Sequence, residues 1–305
     1  MTGGRDGASL VTVPMSQGER ITRSEALAWA RGELRRVGIQ APEREARLIL
    51  LHVLGVSPLE LHLDPTAPLD GAWGRFRELV LRRAERYPLA YLLGEVGFLD
   101  FTLRVEPGVF IPRPETEGLA EIAQGICRSL EPGAEVLDLG TGTGALAIAL
   151  ARCRTDLRVV ATDISPAALE CARGNAQRLG LEGRIEFLLS DWFQGLSGRF
   201  QLIVSNPPYI PSPLIPGLDP EVALYEPKEA LDGGEDGLDA IRAILVEAPR
   251  YLTEGGWLLL EIGDGQGEAV ASLAADAGQW TEIEVEPDLC GKGRYFIARC
   301  SAPMR

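Results

Sequence analysis

The residues best suited to chemistry stand in a short stretch that ends a predicted strand. One serine after the apolar, β-branched run 200–204 come Asn206, Pro207, Pro208 and Tyr209. The run is typical of a buried strand. Two consecutive prolines cannot donate to a strand ladder, and the first keeps Asn206 out of the helical region. The strand therefore ends in a side-chain amide, carbonyls without ladder partners and an aromatic ring. Such a set can hold a planar amide or amino group by its hydrogens, although a plain proline turn is the alternative.

A glycine-rich loop lies about sixty residues upstream, between the strand-like run 135–139 and an alanine-rich helix. The loop consists of alternating glycines and threonines: Gly140, Thr141, Gly142, Thr143 and Gly144. Glycines are needed where the backbone must approach a ligand closely, and a helix start offers free N–H groups. Asp163 ends the next predicted strand, at the distance from which a carboxylate binds a ribose hydroxyl pair. The pattern predicts a nucleoside-containing cofactor, and by itself it leaves NAD open because it also satisfies the dinucleotide fingerprint.

Asp191 and Trp192 form a third candidate segment, one residue beyond the predicted strand 185–189. An acid and an aromatic ring at the end of a strand can bind an adenine by its edge and its face, although Trp192 could equally be a core residue. Ligands of open parallel sheets bind beyond the carboxyl ends of the strands, where the strand order reverses. We therefore expect the glycine loop, Asp163, Asp191–Trp192 and Asn206–Tyr209 to converge at that edge.

Strands and helices alternate along most of the chain, and this order predicts an α/β domain over residues 113–305. Its sheet is expected to have seven strands, mostly parallel, with an antiparallel last strand, because the last two strands have no helix between them. The helical periodicity of residues 19–88 predicts a small all-α N-terminal domain, interpreted as the part that recognises the substrate. A β-hairpin in residues 89–112 is expected to connect the two domains, and residues 1–18 are expected to form a disordered tail.

Composition limits the classes of function. The net charge of −14 argues against a broad positive face, so no stable nucleic-acid binding is expected. The five cysteines are scattered and there are two histidines, which predicts a reducing cytoplasmic location and no metal site. No window of the sequence approaches the 18 apolar residues that a membrane span needs. The protein is also expected to be a monomer.

Arg113 stands between two prolines in the stretch that precedes the α/β domain. Alternate prolines hold the backbone extended and stiff, so Arg113 would be presented in a fixed direction. A plain rigid linker is the alternative. A helix is predicted over residues 119–130, with Glu115 or Thr116 as its N-terminal cap.

Three segments carry a family resemblance: residues 110–117 around Arg113, residues 205–210 around Asn-Pro-Pro-Tyr, and residues 226–238. Together they resemble the PrmC/HemK family, the bacterial release factor glutamine N5-methyltransferases, over roughly residue 20 to the end. Asn-Pro-Pro-Tyr alone is shared with DNA and RNA amino-methylases, so it indicates a chemistry, whereas the proline-flanked arginine is more specific. Glu115 stands where aspartate would be expected as readily.

The resemblance implies a class I S-adenosylmethionine-dependent methyltransferase with a Rossmann-like fold. The implied reaction is methyl transfer to the side-chain amide nitrogen (N5) of the glutamine in the Gly-Gly-Gln motif of peptide chain release factors 1 and 2. S-adenosylhomocysteine is the implied product. Residues 140–144 would hold the methionine part of the cofactor, Asp163 its ribose, and Asp191 or Trp192 its adenine.

For the methyl acceptor, the resemblance implies that Asn206 and the carbonyl of Pro207 accept both hydrogens of the amide nitrogen, while Tyr209 covers the face of the amide. Asn206 is also expected to contact the cofactor, and Pro208 and Arg113 to complete the substrate site. An amide nitrogen is a poor nucleophile because its lone pair is delocalised, so orientation is the main contribution expected from these residues. No dedicated base is evident, and no metal is required.

Two alternatives remain open on the sequence. The first is a DNA or RNA amino-methyltransferase acting on adenine N6, cytosine N4 or guanine N2, which the negative net charge weighs against. The second is an NAD-dependent oxidoreductase built on the same glycine loop. It has no evident use for the stretch Asn206–Tyr209.

Overall fold

The computed structural model describes residues 20–301, so the predicted tail 1–18 lies outside the described residues. The chain divides into two compact units, and the boundary in the sequence falls between Leu93 and Gly94. The described part of the first unit is helical. The second is an α/β unit that contains both a small hairpin and a seven-stranded sheet.

The N-terminal unit packs its helices around one apolar core. Its described helices are α1 (Arg23–Arg36), α2 (Pro42–Leu54), α3 (Pro58–Leu63), α4 (Trp73–Ala84) and α5 (Leu89–Leu93). Thr22 and Ser57 begin α1 and α3 with capping boxes, which satisfy backbone N–H groups at each helix start. Leu34, Ile49 and Phe76 are fully buried between the helices. The all-α character of this part was expected from residues 19–88, whereas α5 lies beyond them and was not expected, because five residues show too little periodicity.

The second unit begins with the antiparallel hairpin β1 (Glu95–Phe98) and β2 (Phe101–Arg104), which the sequence predicted. The strands that follow are β3 (Glu135–Leu139), β4 (Arg158–Asp163), β5 (Ile185–Leu189), β6 (Phe200–Ser205), β7 (Leu252–Glu261), β8 (Trp280–Pro287) and β9 (Gly293–Cys300). The helices are α6 (Pro114–Cys127), α7 (Ala145–Cys153), α8 (Pro166–Arg178), α9 (Pro220–Tyr225), α10 (Asp239–Tyr251) and α11 (Gly267–Ala277).

The seven later strands form one sheet in the order β5-β4-β3-β6-β7-β9-β8. Neighbouring pairs from β5 to β7 are parallel, and β9 runs antiparallel to both β7 and β8. The predicted α/β class, with a mostly parallel seven-stranded sheet and an antiparallel last strand, is confirmed. Strands β3 and β6 lie side by side, with Leu139 opposite Ser205. The strand order reverses at this pair, as expected.

Two apolar cores cover the two faces of the sheet, because successive strand residues point in opposite directions. Val136 of β3 and Val204 of β6 pack in the core that contains α6 and α7. Their neighbours Leu137 and Ile203 pack on the other face with α10 and α11. With both faces covered, the site can be reached only from the strand ends and the loops that follow them.

The start of α6 differs from the expectation. The helix begins at Pro114, and Arg113 is its N-cap without a side-chain cap hydrogen bond. The interpretation of Glu115 or Thr116 as the cap of a helix over 119–130 is therefore wrong. Proline at the first helical position has the helical φ preset and no N–H group to satisfy, so the helix can start without a capping side chain. This leaves the Thr116 hydroxyl available for a contact elsewhere.

Candidate active site

A cavity of about 320 Å³ lies beyond the carboxyl ends of the parallel strands. Ten of the thirteen predicted site residues line it: Gly140, Thr141, Gly142, Thr143, Asp163, Asp191, Trp192, Asn206, Pro207 and Pro208. The structure therefore brings together the four segments that the sequence singled out. The other three predicted residues, Gly144, Arg113 and Tyr209, lie outside this lining.

The glycines of the loop have two different uses. Gly140 and Gly142 have φ of +70° and +55°, and a Cβ at either position would meet nothing within 4 Å. Side chains there would be strained and would project into open space beside the loop. Gly144 has φ of +85°, and a Cβ would lie 3.1 Å from Ala172 Cβ in α8. The first two glycines thus keep room for a ligand, and Gly144 allows close helix packing.

Asp138, at the end of β3, is a residue that sequence reasoning did not assign to the site. Its Oδ2 accepts hydrogen bonds from Thr141 Oγ1 at 2.7 Å and from Ala147 N at 3.0 Å. Burial raises the pKa of the Asp138 carboxyl to about 7, although both donors oppose the rise. Asp138 therefore ties the glycine loop to the first turn of α7. The available signal was an acid two residues before the first glycine.

Asp163 presents its carboxylate to the cavity from the end of β4. Its Oδ2 accepts from Gly142 N at 2.8 Å and its Oδ1 from Ser165 N at 2.9 Å. Burial raises the pKa of Asp163, and these backbone donors oppose the rise. Each carboxylate oxygen can accept more than one hydrogen, so Asp163 is held rigidly while it retains capacity for a hydroxyl pair.

Asp191 and Trp192 follow β5 and both line the cavity. Asp191 is exposed and accepts from Gln194 Nε2 at 3.2 Å. Trp192 has φ of +50°, in the left-handed region that a non-glycine residue seldom adopts. Its ring is half-buried and packs on the sheet core that contains α10 and α11. The two sequence interpretations of Trp192, core residue and cavity wall, therefore both describe its position.

Asn206 is connected to a chain of hydrogen bonds that reaches the end of β7. Its Nδ2 donates to Thr116 Oγ1 at 3.1 Å, and Thr116 Oγ1 donates to Glu261 Oε2 at 2.7 Å. Within residues 20–301, Asn206 Oδ1 has no hydrogen-bond partner. Because Asn206 and Thr116 both line the cavity, the free oxygen is an acceptor available to a ligand there. Neither Thr116 nor Glu261 was predicted as a site residue.

Tyr209 takes part in the same network from outside the cavity lining. Its hydroxyl donates to Glu261 Oε1 at 3.0 Å. Burial raises the pKa of the Tyr209 phenol, and the neighbouring Glu261 carboxylate adds to the rise. The phenol therefore stays a hydrogen-bond donor. Its predicted place on the face of a substrate amide stays a prediction.

The backbone after Asn206 is fixed by the segment 226–238. Ile210 N donates to Leu231 O at 3.0 Å, and Gly233 N donates to Ile210 O at 2.9 Å. A Cβ on Gly237 would lie within 2.4 Å of Tyr209 O, so only glycine fits there. The glycines that contributed to the resemblance thus allow the two loops to touch.

Arg113 forms an ion pair with Glu226 across 113 residues of sequence. The Glu226 side chain is 1% exposed and that of Arg113 is 29% exposed. Ile111 N also donates to Glu226 Oε2, at 3.3 Å. Burial raises the pKa of Glu226, while Arg113 and the Ile111 N–H oppose the rise. Arg113 therefore fixes the stretch before α6, in which Phe110 and Pro112 line the cavity.

The structure describes residues 20–301, and within them neither a metal-binding cluster nor a membrane-spanning helix is found. No cluster of three or more His, Cys, Asp or Glu residues is arranged to hold a metal ion. No helix there has the length and apolar character needed to cross a bilayer.

Comparison with protein families gives two matches that follow each other along the chain. The model described as the PrmC N-terminal domain matches residues 25–94. The model described as the methyltransferase small domain matches residues 100–212. The second match includes the glycine loop, Asp163 and Asn206–Tyr209.

Individual relatives match over most of the chain. A release factor glutamine methyltransferase of Cereibacter sphaeroides is 46% identical over 92% of this chain and 99% of its own length. One of Thermosynechococcus vestitus is 42% identical over 89% of this chain and 96% of its own length. A solved release factor-specific protein-(glutamine-N5) methyltransferase of Alicyclobacillus acidocaldarius is 28% identical, with a TM-score of 0.40, over 65% of this chain and 99% of its own. At this identity and coverage of the first two relatives, the chain belongs to the release factor glutamine methyltransferase family.

Proposed function

We propose that this protein transfers a methyl group from S-adenosylmethionine to the side-chain amide nitrogen of the glutamine in the Gly-Gly-Gln motif of peptide chain release factors. The observation that carries the proposal is the unpartnered Oδ1 of Asn206 beside Pro207 in the cavity. An acceptor in this position suits a substrate that offers two amide hydrogens. Relatives named for this activity, 46% and 42% identical over most of the chain, support it.

The cavity fits S-adenosylmethionine. The open space beside Gly140 and Gly142 gives the backbone close access to a ligand, and residues 140–144 would hold its methionine part. Asp163, with accepting capacity left on both oxygens, would bind the ribose hydroxyls. Asp191 or Trp192 would bind the adenine. When bound, the cofactor supplies an electrophilic methyl group on a sulfonium, and S-adenosylhomocysteine is the product.

The residues of the site would make a poor nucleophile reactive. Asn206 Oδ1 and the carbonyl of Pro207 would accept the two hydrogens of the substrate amide. This fixes the nitrogen in one orientation, an effect worth about 7–11 kcal/mol when the geometry approaches that of attack. The nitrogen gains positive charge as it forms its new bond, so both acceptors bind the transition state more strongly than the ground state. The proton can leave after transfer, and no metal or dedicated base is needed.

The remaining predicted residues would complete the substrate site. Tyr209 would lie on the face of the amide, Pro208 would line the entrance, and Arg113 would contact the substrate from its place beside Phe110. These roles rest on the family resemblance and on position: Pro208 lines the cavity, and Tyr209 and Arg113 each follow a lining residue in the sequence.

The finer organisation of the protein is also part of the proposal. Residues 19–88 would recognise the release factor, 89–112 would connect the two domains, and 113–305 would carry out methyl transfer. The protein would act as a cytoplasmic monomer on release factors 1 and 2, without stable nucleic-acid binding. The five free cysteines support a reducing compartment, and the negative net charge supports a protein substrate.

Intact-mass spectrometry tests the proposal directly. Purified release factor 1 or 2 is incubated with this protein and S-adenosylmethionine, and the product is fragmented. We expect one added methyl group, located on the glutamine of Gly-Gly-Gln. Radiolabel found only in RNA or DNA offered in parallel would contradict the protein substrate. Calorimetric binding of NAD without binding of S-adenosylmethionine would contradict the methyltransferase reaction.

A further inference from the structure

Three side chains from separate elements form one buried hydrogen-bond relay behind the cavity. Thr116 lies in the first turn of α6, Asn206 follows β6, and Glu261 ends β7. Thr116 and Glu261 are 4% and 0% exposed. The bonds join residues 90 and 145 positions apart in the sequence. A relay of this length through three elements holds its members in one arrangement.

We infer that Glu261 is a positioning residue that determines which end of the Asn206 side-chain amide faces the substrate, acting through Thr116. The inference rests on the proposed methyl transfer for its effect on catalysis. It adds a function for two residues, Thr116 and Glu261, that do not receive the methyl group or bind the reacting nitrogen.

The direction of the relay follows from the hydrogens that each group owns. An ionised carboxylate can only accept, and a threonine hydroxyl has one hydrogen to donate. If that hydrogen is donated to Glu261, the Thr116 oxygen can only accept from Asn206. The NH₂ group of Asn206 must then face Thr116, and its oxygen is left for the cavity. With the relay reversed, Asn206 would present two hydrogens to a substrate amide that also presents hydrogens.

Hydrogen-bond donors occupy both oxygens of the Glu261 carboxylate, so the geometry assigns it as an acceptor. Thr116 Oγ1 donates to one carboxylate oxygen and Tyr209 Oη to the other. Burial raises the pKa of Glu261, and the two hydroxyl donors and the Arg294 guanidinium oppose the rise. Arg294 also donates to the carbonyl of the next residue, Ile262, at 3.1 Å. Tyr209 thus has a defined contact that does not require it to touch the substrate.

Substitutions that keep size and change only the hydrogen-bonding groups test the relay. Thr116→Val removes the hydroxyl, and Thr116→Ser retains it. Glu261→Gln replaces one of two acceptors by a donor, so at least one of the two hydroxyls must turn around. We expect Thr116→Val to lower kcat about tenfold or more, and Glu261→Gln to lower kcat to the extent that the Thr116 hydroxyl, not that of Tyr209, turns around. The KM for release factor and the Kd for S-adenosylmethionine should stay within about threefold, and Thr116→Ser should restore most of the rate.

The double variant and a matched control make the test specific. If both residues act only through Asn206, Thr116→Val with Glu261→Gln should be no slower than the slower single variant. Ser205→Ala is the control, because Ser205 is the neighbour of Asn206 and its buried hydroxyl donates instead to Leu139 O at 2.7 Å. Ser205→Ala should lose about as much stability as Thr116→Val, and it should retain the wild-type kcat within about twofold. Wild-type kcat in Thr116→Val, or effects that multiply in the double variant, would overturn the inference.

A measurement without the release factor separates this inference from the proposed function. The side-chain NH₂ signals of Asn206 in a ¹⁵N NMR spectrum are identified by their loss in Asn206→Ala. They should exchange slowly with solvent in the wild type and in Thr116→Ser, and rapidly in Thr116→Val. Equal exchange in all three proteins would refute the relay. A protected signal in a wild-type protein that does not methylate release factor would refute only the proposed substrate.

Discussion

Replacing Arg113 by alanine should destabilise the protein by an amount that depends on pH. Among residues 20–301, the substitution leaves Glu226, with a side chain 1% exposed, with one further donor, Ile111 N at 3.3 Å. Removing one partner of a buried ion pair costs about 3–5 kcal/mol. Because the Arg113 side chain is 29% exposed, we expect the lower end of this range, about 3 kcal/mol at pH 8.

The pH dependence has a defined sign. The pKa of Glu226 is already raised by burial, and Arg113 opposes that rise. Without Arg113 the pKa rises further, so Glu226 becomes protonated and neutral over a wider pH range. A carboxyl group with a raised pKa in the folded state favours folding at low pH and loses that contribution as pH increases through the raised pKa. The loss of unfolding free energy caused by Arg113→Ala should therefore be small near pH 5 and reach its full value near pH 8.

Urea unfolding of wild type and variant at pH 5 and pH 8 measures this difference. Arg113→Lys keeps the charge and should recover part of the loss. The double variant Arg113→Met with Glu226→Gln removes both charges and should be more stable than Arg113→Ala at pH 8. Amide exchange at Ile111 reports on the same contact locally. A loss of unfolding free energy below about 1 kcal/mol at pH 8, or a loss of equal size at both pH values, would refute the proposed stabilisation of Glu226 by Arg113.

Three further predictions concern the cavity. Asn206→Ala should abolish methyl transfer and change the Kd for S-adenosylmethionine only a few-fold by calorimetry; comparable loss of both would contradict the proposed role of Asn206. Gly142→Ala should raise the Kd for S-adenosylmethionine about tenfold or more, because the alanine side chain would point into the open space beside the loop. Gly180→Ala, at an exposed turn with φ of +69°, is its control and should lower only stability. Asp138→Asn should remove a pH dependence of the unfolding free energy. Because the pKa of Asp138 is raised from 3.8 to about 7 in the folded protein, the wild type should become less stable as pH increases. Between pH 3 and pH 8 it should lose about 4 kcal/mol of unfolding free energy relative to the variant. Urea unfolding measures the difference in unfolding free energy between the wild type and Asp138→Asn. If this difference does not change with pH, the raised pKa of Asp138 is contradicted.

Much of the fold could be predicted because its signals are local. The alternation of apolar runs with helical periodicity predicted the α/β class and its strands. Glycine spacing predicted the loop before α7, and Pro207-Pro208 predicted the end of β6. Signals of this kind failed where an element was short, as in α5, or where proline replaced a cap, as at Pro114. The place of β9 between β7 and β8 had no local signal, because strand pairing is decided by packing between distant segments.

The cavity lining was predicted better than the contacts behind it. Residues at the carboxyl ends of parallel strands must meet at one edge of the sheet, so Asp163, Trp192 and Asn206 could be assigned to one site from their order alone. The sequence did not indicate Glu261, because its contacts are with Thr116 and Tyr209, which lie 145 and 52 residues away in the sequence.

The sequence by itself determined what depends on a residue and its neighbours. It placed glycines where the backbone needs positive φ, and it put an amide and two prolines after a strand that cannot continue. Only the tertiary structure decided how these groups are oriented. Asn206 can direct either end of its amide outward, and its neighbours in sequence do not select one. The selection comes from Thr116 and Glu261, 90 and 55 residues away in sequence, because packing of α6 and β7 against β6 buries their polar groups together and each must find a partner.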